Sequence, residues 1–226
     1  MNAGSVPAAR DALAAAGAVI FDFDGVLVDS EPMHMRAIRE VAAARGWAFG
    51  DEVFARMIGK GDEHAFELLA ELHREPVTPA QIARLCEDKS RACTRLIQGG
   101  LFTVQPGVRE VMMDARREGT RPTAICSGSR REVVVGMAER AGLSPLVRTI
   151  VTHEDVAHPK PDPEGYLLAA ARLGVKPGDA VVIEDSPTGV RAGKAAGMRV
   201  IGVCHSFSAD RLLEADWVLP RLADLA

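Results

Sequence analysis

Asp22 and Asp24 stand two residues apart where the apolar run Val19-Ile20-Phe21 gives way to Gly25. On a strand, side chains at i and i+2 point to one side, so both carboxylates are expected to reach one small volume at the strand's C-terminal end. Paired carboxylates there suit a hard cation with oxygen ligands, or a nucleophile and an acid/base partner. The Asp24-Gly25 step would also suit an ordinary turn closing a buried strand. Three further segments carry chemistry-bearing residues: Cys126-Ser127-Gly128-Ser129-Arg130, His158-Pro159-Lys160-Pro161-Asp162 and Glu184-Asp185-Ser186-Pro187.

Short apolar segments at residues 122–126, 148–152, 180–183, 199–203 and 217–219 alternate with helical stretches. That alternation implies an α/β fold with a parallel, doubly wound sheet, and a ligand site beyond the carboxyl ends of its strands. The polar segments fall at or just beyond such strand ends, and four on one sheet edge exceed what turn chemistry requires. Residues 32–100 carry helical patterning instead, with helix starts expected at Asp62 and at Thr78-Pro79. The expected division is a core of residues 1–31 and 101–226, with 32–100 as an inserted all-α domain.

At 226 residues, 47% hydrophobic and 26% charged, the chain is long and apolar enough to bury a core and is not disordered. Its net charge of -4 gives no overall pull toward nucleic acid or an anionic membrane, so an anionic substrate would need a local basic pocket. The four cysteines, Cys86, Cys93, Cys126 and Cys204, form no CxxC pair and read as reduced, mostly buried thiols. Residues 1–17 carry Arg10-Asp11 within their apolar stretch, against a signal peptide, and no run approaches a membrane span. The expected setting is the cytoplasm.

In order and spacing, Asp22-Phe23-Asp24-Gly25, Ser127, Lys160 and Glu184-Asp185 resemble the four motifs of the haloacid dehalogenase superfamily of phosphotransferases. The strings from Phe21 to Pro32 and from Glu184 to Val190 resemble the branch of β-phosphoglucomutase and small sugar-phosphate or phosphoglycolate phosphatases. The likeness spans Ala18 to Leu219 and implies a Rossmann-like core with a helical cap inserted between the first two motifs. Two departures stand out: Pro159 where family members often carry glycine, and Gly59-Lys60-Gly61-Asp62 where the mutase has a phosphate-gripping arginine.

The resemblance implies Asp22 as nucleophile forming an aspartyl-phosphate, and Asp24 as the acid that protonates the leaving alkoxide and then deprotonates water. Ser127 and Lys160 would hold the transferring phosphoryl oxygens. Mg²⁺ is the implied cofactor, held by Asp22, the Asp24 carbonyl and Asp185, with Glu184 a direct ligand in some members. Read without the family, Lys160 would suit a solvated loop, and the Glu-Asp pair could cap the helix opening at Pro187.

Five more residues are candidate substrate contacts: Ser129 and Arg130 past the second motif, and His34, Lys60 and Lys89 in the cap. Lys89 shares an apolar face with Ile82, Cys86, Cys93 and Leu96, so it either points into a site or snorkels to an edge. The plainer readings are a solvent-exposed helix residue for Arg130, a structural loop for residues 59–61, and an ordinary polar residue for His34. The expectation is a Mg²⁺-dependent phosphatase acting as a monomer on a small phosphorylated metabolite, with no nucleic-acid or membrane partner. A phosphomutase and a noncatalytic phosphate-binding regulatory module are the alternatives, and a carbon-halogen hydrolase is disfavoured because such relatives need no metal.

Overall fold

The computed structural model describes residues 5–58, 60–116 and 121–226. Its strands are β1 (Ala18–Phe21), β2 (Val28–Asp29), β3 (Thr103–Val104), β4 (Thr123–Cys126), β5 (Thr149–Val151), β6 (Ala180–Glu184), β7 (Arg199–Val203) and β8 (Trp217–Leu219). The α-helices are α1 (Val6–Ala14), α2 (Glu31–Ala43), α3 (Asp51–Ala55), α4 (Asp62–Leu72), α5 (Pro79–Gln98), α6 (Val108–Arg116), α7 (Arg131–Arg140), α8 (Glu164–Leu173) and α9 (Pro187–Ala195). The chain divides into two compact units, Met1–Asp29 with Thr103–Ala226, and Ser30–Phe102. Each border lies two residues from the one the pattern suggested.

The first unit is built on a six-stranded sheet in the order β5-β4-β1-β6-β7-β8, and every neighbouring pair is parallel. The residues of β1, β4 and β6 are buried throughout, as continuous apolar strands covered on both faces must be. Chain order reverses around β1, since β4 lies on one side and β6 on the other, and that switch opens a crevice at the strands' carboxyl ends. Register makes the ends level: Phe21 stands opposite both Ile125 and Ile183. The Asp22 N–H extends the ladder by donating to Ile183 O at 2.9 Å, so Asp22 comes level with Cys126 and Glu184.

Two features of this unit lie below the reach of periodicity. β2 and β3 form a two-stranded antiparallel ribbon pairing Val28 with Val104 and Asp29 with Thr103, and strands of two residues have no period to detect. Buried Arg121 donates to the carbonyls of Leu13, Ala16, Asp114 and Ala115, gathering the C-terminal ends of α1 and α6. Helix ends leave carbonyls without partners inside the helix, which is why a guanidinium suits that place.

The second unit is all-helical, α2 to α5, around its own apolar core of Ile38, Trp47, Phe54, Phe66, Leu69 and Leu85. α4 begins at Asp62, and α5 begins at Pro79 behind a capping box. In that box Gln81 N–H donates to Thr78 Oγ1 at 3.3 Å, and Thr78 N–H donates to Gln81 Oε1 at 2.8 Å. Among the described residues no helix is long and apolar enough to cross a membrane.

Candidate active site

At the end of β6, the fully buried Glu184 is a hub of hydrogen bonds. Its Oε1 accepts from Lys160 Nζ at 2.7 Å and from the Tyr166 hydroxyl at 2.9 Å. Its Oε2 accepts from the N–H groups of Asp185 and Ser186, each at 2.9 Å, and from Ser186 Oγ at 3.0 Å. Five donors saturate a carboxylate with about four lone-pair positions. Of the two roles the family offers Glu184, these contacts suit the one beside the ligand set, with the side chain holding Lys160 in place.

Lys160 also donates to Asp22 Oδ1 at 2.6 Å and to the Cys126 carbonyl at 3.1 Å, with its ammonium 4.8 Å from the centre of the Tyr166 ring. The solvated-loop reading of Lys160 therefore fails. Tyr166, the chain's one tyrosine, belongs to this hydrogen-bonded cluster and was missed by the motif reading. It sits on the buried face of α8 with Ala169, Ala170 and Leu173, and a phenol tip on an otherwise apolar face was the available signal.

The two aspartates of the first motif take different partners. β1 ends at Phe21, so both lie past the strand, and Phe23 between them is buried in the core. Asp22 meets Lys160, whereas Asp24 Oδ2 accepts from Ser127 Oγ at 3.0 Å and Ser129 Oγ at 2.8 Å. Ser129 N–H in turn donates to Ser127 Oγ at 2.9 Å. Ser129, expected at the distal end of a substrate, here orients Asp24. Arg130 is half-buried and stands at the N-cap of α7.

Ligand atoms of Asp22, Glu184 and Asp185 all lie within 4.8 Å of one another. With Glu184 occupied by its donors, the fit to a cation rests on Asp22 and Asp185. Asp185 is buried, and its Oδ2 has no hydrogen-bond partner among the described residues. A Cβ at Gly25, whose φ is +82°, would stand 1.9 Å from that oxygen, so only glycine leaves the space beside it. Gly189 is required in the same way, because a Cβ there would stand 1.6 Å from Glu184 Oε1. The helix-cap reading of the Glu-Asp pair also fails: Ser186 caps α9, accepting from Gly189 N–H at 3.0 Å.

Charge states follow from this crowding. Burial pushes the Asp22 carboxyl up to about 8, against the pull of the Lys160 ammonium. Asp185 is driven well above the usual carboxylate range by burial and then by the charges of Glu184 and Asp22. Burial opposes charge on Glu184 too, but the Lys160 ammonium and the hydrogen bonds override it and hold its carboxyl below the ordinary value. Three carboxylates against one ammonium make a site that a divalent cation would neutralise.

In the helical unit, Lys89 does not snorkel to an edge. It is buried, and its ammonium donates to Asp62 Oδ1 at 2.6 Å and His34 Nδ1 at 2.8 Å. Because an ammonium only donates, His34 Nδ1 must accept. Lys60 is exposed, and Gly59 lies outside the described residues.

A Rossmann-like parallel sheet with lysine, aspartate and glutamate on its carboxyl edge defines a class of hydrolases. Residues 16–197 match the haloacid dehalogenase-like hydrolases, and the chain belongs to that family. It is 35% identical over 201 residues to the phosphorylated carbohydrates phosphatase of Thermotoga maritima, covering 88% of this chain and 90% of the relative. It is 31% identical over 185 residues to the fructose-1-phosphate phosphatase YqaB of Escherichia coli, covering 82% of this chain and 95% of the relative. Among solved structures it is similar to CbbY from Rhodobacter sphaeroides in complex with phosphate, with a TM-score of 0.82 and 28% identity over 93% of this chain and 96% of that one. By class the protein is a phosphoric monoester hydrolase.

Proposed function

We propose that this hydrolase cleaves a small sugar phosphate through an aspartyl-phosphate on Asp22, with Mg²⁺ as cofactor, in the cytoplasm. The observation that carries the reading is the convergence of Asp22, Lys160 and Asp185 at one sheet edge, with Lys160 on Asp22 and an oxygen of Asp185 left without a hydrogen-bond partner among the described residues. The substrate class follows the similarity to sugar-phosphate phosphatases. Free cysteines support a reducing compartment.

In the first step Asp22 attacks phosphorus and the P–O bond to the sugar breaks, with the departing alkoxide taking a proton from Asp24. In the second, Asp24 takes a proton from water, whose oxygen attacks phosphorus and releases Asp22 and phosphate. Lys160 fixes Asp22 and offsets its charge, which matters because burial opposes ionisation of the attacking carboxylate. Ser127 and Ser129 orient Asp24 until substrate arrives, when Ser127 turns its hydroxyl to a phosphoryl oxygen. An oxygen-ligated Mg²⁺, held by Asp22, Asp185 and the Asp24 carbonyl, would screen the anionic phosphoryl group from its anionic attacker.

Arg130, Lys60, His34 and Lys89 stand as candidate contacts to the rest of the substrate. Of these Lys89 is already paired, so an anionic substrate group would share its ammonium with Asp62.

A panel of phosphorylated metabolites assayed for inorganic phosphate with and without Mg²⁺ tests the proposal. Metal-dependent release from one or a few sugar phosphates is expected, and no release from any sinks it. A phosphomutase belongs to the same family. Conversion of β-glucose 1-phosphate to glucose 6-phosphate faster than phosphate release, after priming with glucose 1,6-bisphosphate, would establish that activity instead.

A further inference from the structure

Gly25 bears the most conformational freedom of the catalytic turn. Its φ of +82° is open only to a residue without a constraining side chain, and its missing Cβ leaves room for Asp185 Oδ2. What holds such a residue in place must act on its backbone. Its N–H donates to Val28 O at 2.7 Å. Its carbonyl accepts from Gln105 Nε2 at 3.1 Å and from His205 Nδ1 at 2.7 Å, so both lone pairs are filled by side chains from distant segments.

His205 follows β7, which neighbours β6 and not β1. Strand spacing puts β1 about 10 Å from β7, so the segment must fold over the end of β6 to reach Gly25. As it crosses, it brings Ser206 beside Asp185: a Cβ at Gly25 would stand 1.9 Å from Asp185 Oδ2 and 2.7 Å from Ser206 Oγ. The other ring nitrogen, His205 Nε2, accepts from Leu222 N–H at 3.1 Å. A carbonyl only accepts and an N–H only donates, so the two contacts coexist only in the neutral ring with its proton on Nδ1.

We propose that His205, with Gln105, is a positioning residue that clamps the Gly25 carbonyl and so holds the Asp24 turn against Asp185. The function inferred for Asp24 and Asp185 underlies this step. The competing possibility is that the ring only braces the C-terminal segment through Leu222.

Two conservative replacements separate these roles, because an asparagine amide falls near Nδ1 and a glutamine amide near Nε2. His205→Asn keeps a donor for Gly25 and loses the acceptor for Leu222, and His205→Gln does the reverse. Outer partners of a metal site are worth about 10- to 100-fold in activity or affinity. His205→Gln and Gln105→Ala should therefore lower kcat, and weaken Mn²⁺ binding measured by calorimetric titration, by about tenfold, while His205→Asn retains most of both. Amide hydrogen exchange across residues 24–28 should speed up in His205→Gln and stay near wild type in His205→Asn. If exchange there is unchanged in His205→Gln, or if His205→Asn is the more impaired in metal binding, the clamp is overturned. Those readouts need no turnover, so they stand apart from the outcome of the substrate panel.

Discussion

Two lysines, the half-buried Lys160 at the sheet edge and the buried Lys89 in the helical unit, meet different sets of partners. Lys160 contacts Asp22 and Glu184, with Asp185 close by, so three carboxylates face one ammonium. Lys89 meets the Asp62 carboxylate and the His34 imidazole. A buried ion pair that balances locally is a finished structural unit, whereas an acidic excess in a crowded, buried edge invites a cation or reacts with something that carries one. The difference suits the first lysine to chemistry, whereas an anionic substrate group at the second would have to share its ammonium with Asp62.

The sharpest break of this comparison is Asp22→Asn. An amide is a poor nucleophile and a poorer metal ligand, and removing a catalytic group from a covalent mechanism costs about 10⁴-fold or more. Phosphate release below about a thousandth of wild type is expected in a preparation free of deamidation. Activity above that level would mean the acidic excess serves binding alone.

Next come the two neighbouring acids, which the structure separates. Asp185→Asn should raise the Mg²⁺ concentration for half-maximal activity by about tenfold or more, as loss of a ligand does, with little loss of thermal stability. Glu184→Gln should do the reverse, destabilising the fold by about 3 kcal/mol because Lys160 loses a buried partner. A shared Mg²⁺ dependence in both variants would return Glu184 to the ligand set.

How far the sequence carried this separation depends on where the partners sit along the chain. The strand-end motifs were legible because each is a short local string, and four strings on alternating β and α segments meet only one way. Which of its two family roles Glu184 suits was not legible, because its five donors come from Lys160, Tyr166, Asp185 and Ser186 and meet it only after folding. The separate partners of Asp22 and Asp24 were hidden for a related reason: the i, i+2 rule applies within a strand, and β1 stops at Phe21. Lys89 was correctly singled out as anomalous on its apolar face. Its partners were not legible, since Asp62 lies 27 residues away and His34 lies 55.

The acidic excess should also show in stability. Burial holds the Asp22 carboxyl at about 8 in the folded protein against 3.8 for the free side chain. Between those values the folded state binds the extra proton, so without metal the contribution of Asp22 to stability falls as pH rises from about 4 to 8. A divalent cation competes with that proton. The rise in Tm on adding Mg²⁺ should therefore be larger at pH 8 than at pH 5. A metal-induced shift independent of pH would show that Asp22 is ionised throughout.

The smallest effect tests whether the Lys89 pair is finished. Lys89→Met takes the ammonium away from Asp62 and His34, and Asp62→Asn leaves a buried ammonium with a weaker partner. Asp62 is 27% exposed and keeps access to water, so its loss of a partner should be the milder of the two. Each single change should destabilise by about 1–3 kcal/mol in denaturant unfolding. The double variant should recover part of that loss, because both charges leave together and their coupling goes with them. If the pair is purely internal, kcat/KM falls equally on the preferred sugar phosphate and on an aryl phosphate with no distal polar group. If Lys89 also reaches substrate, the sugar phosphate loses more, and Asp62→Asn, which loosens the hold on the ammonium, moves the ratio the other way. Those opposite signs are what a structural role alone does not produce.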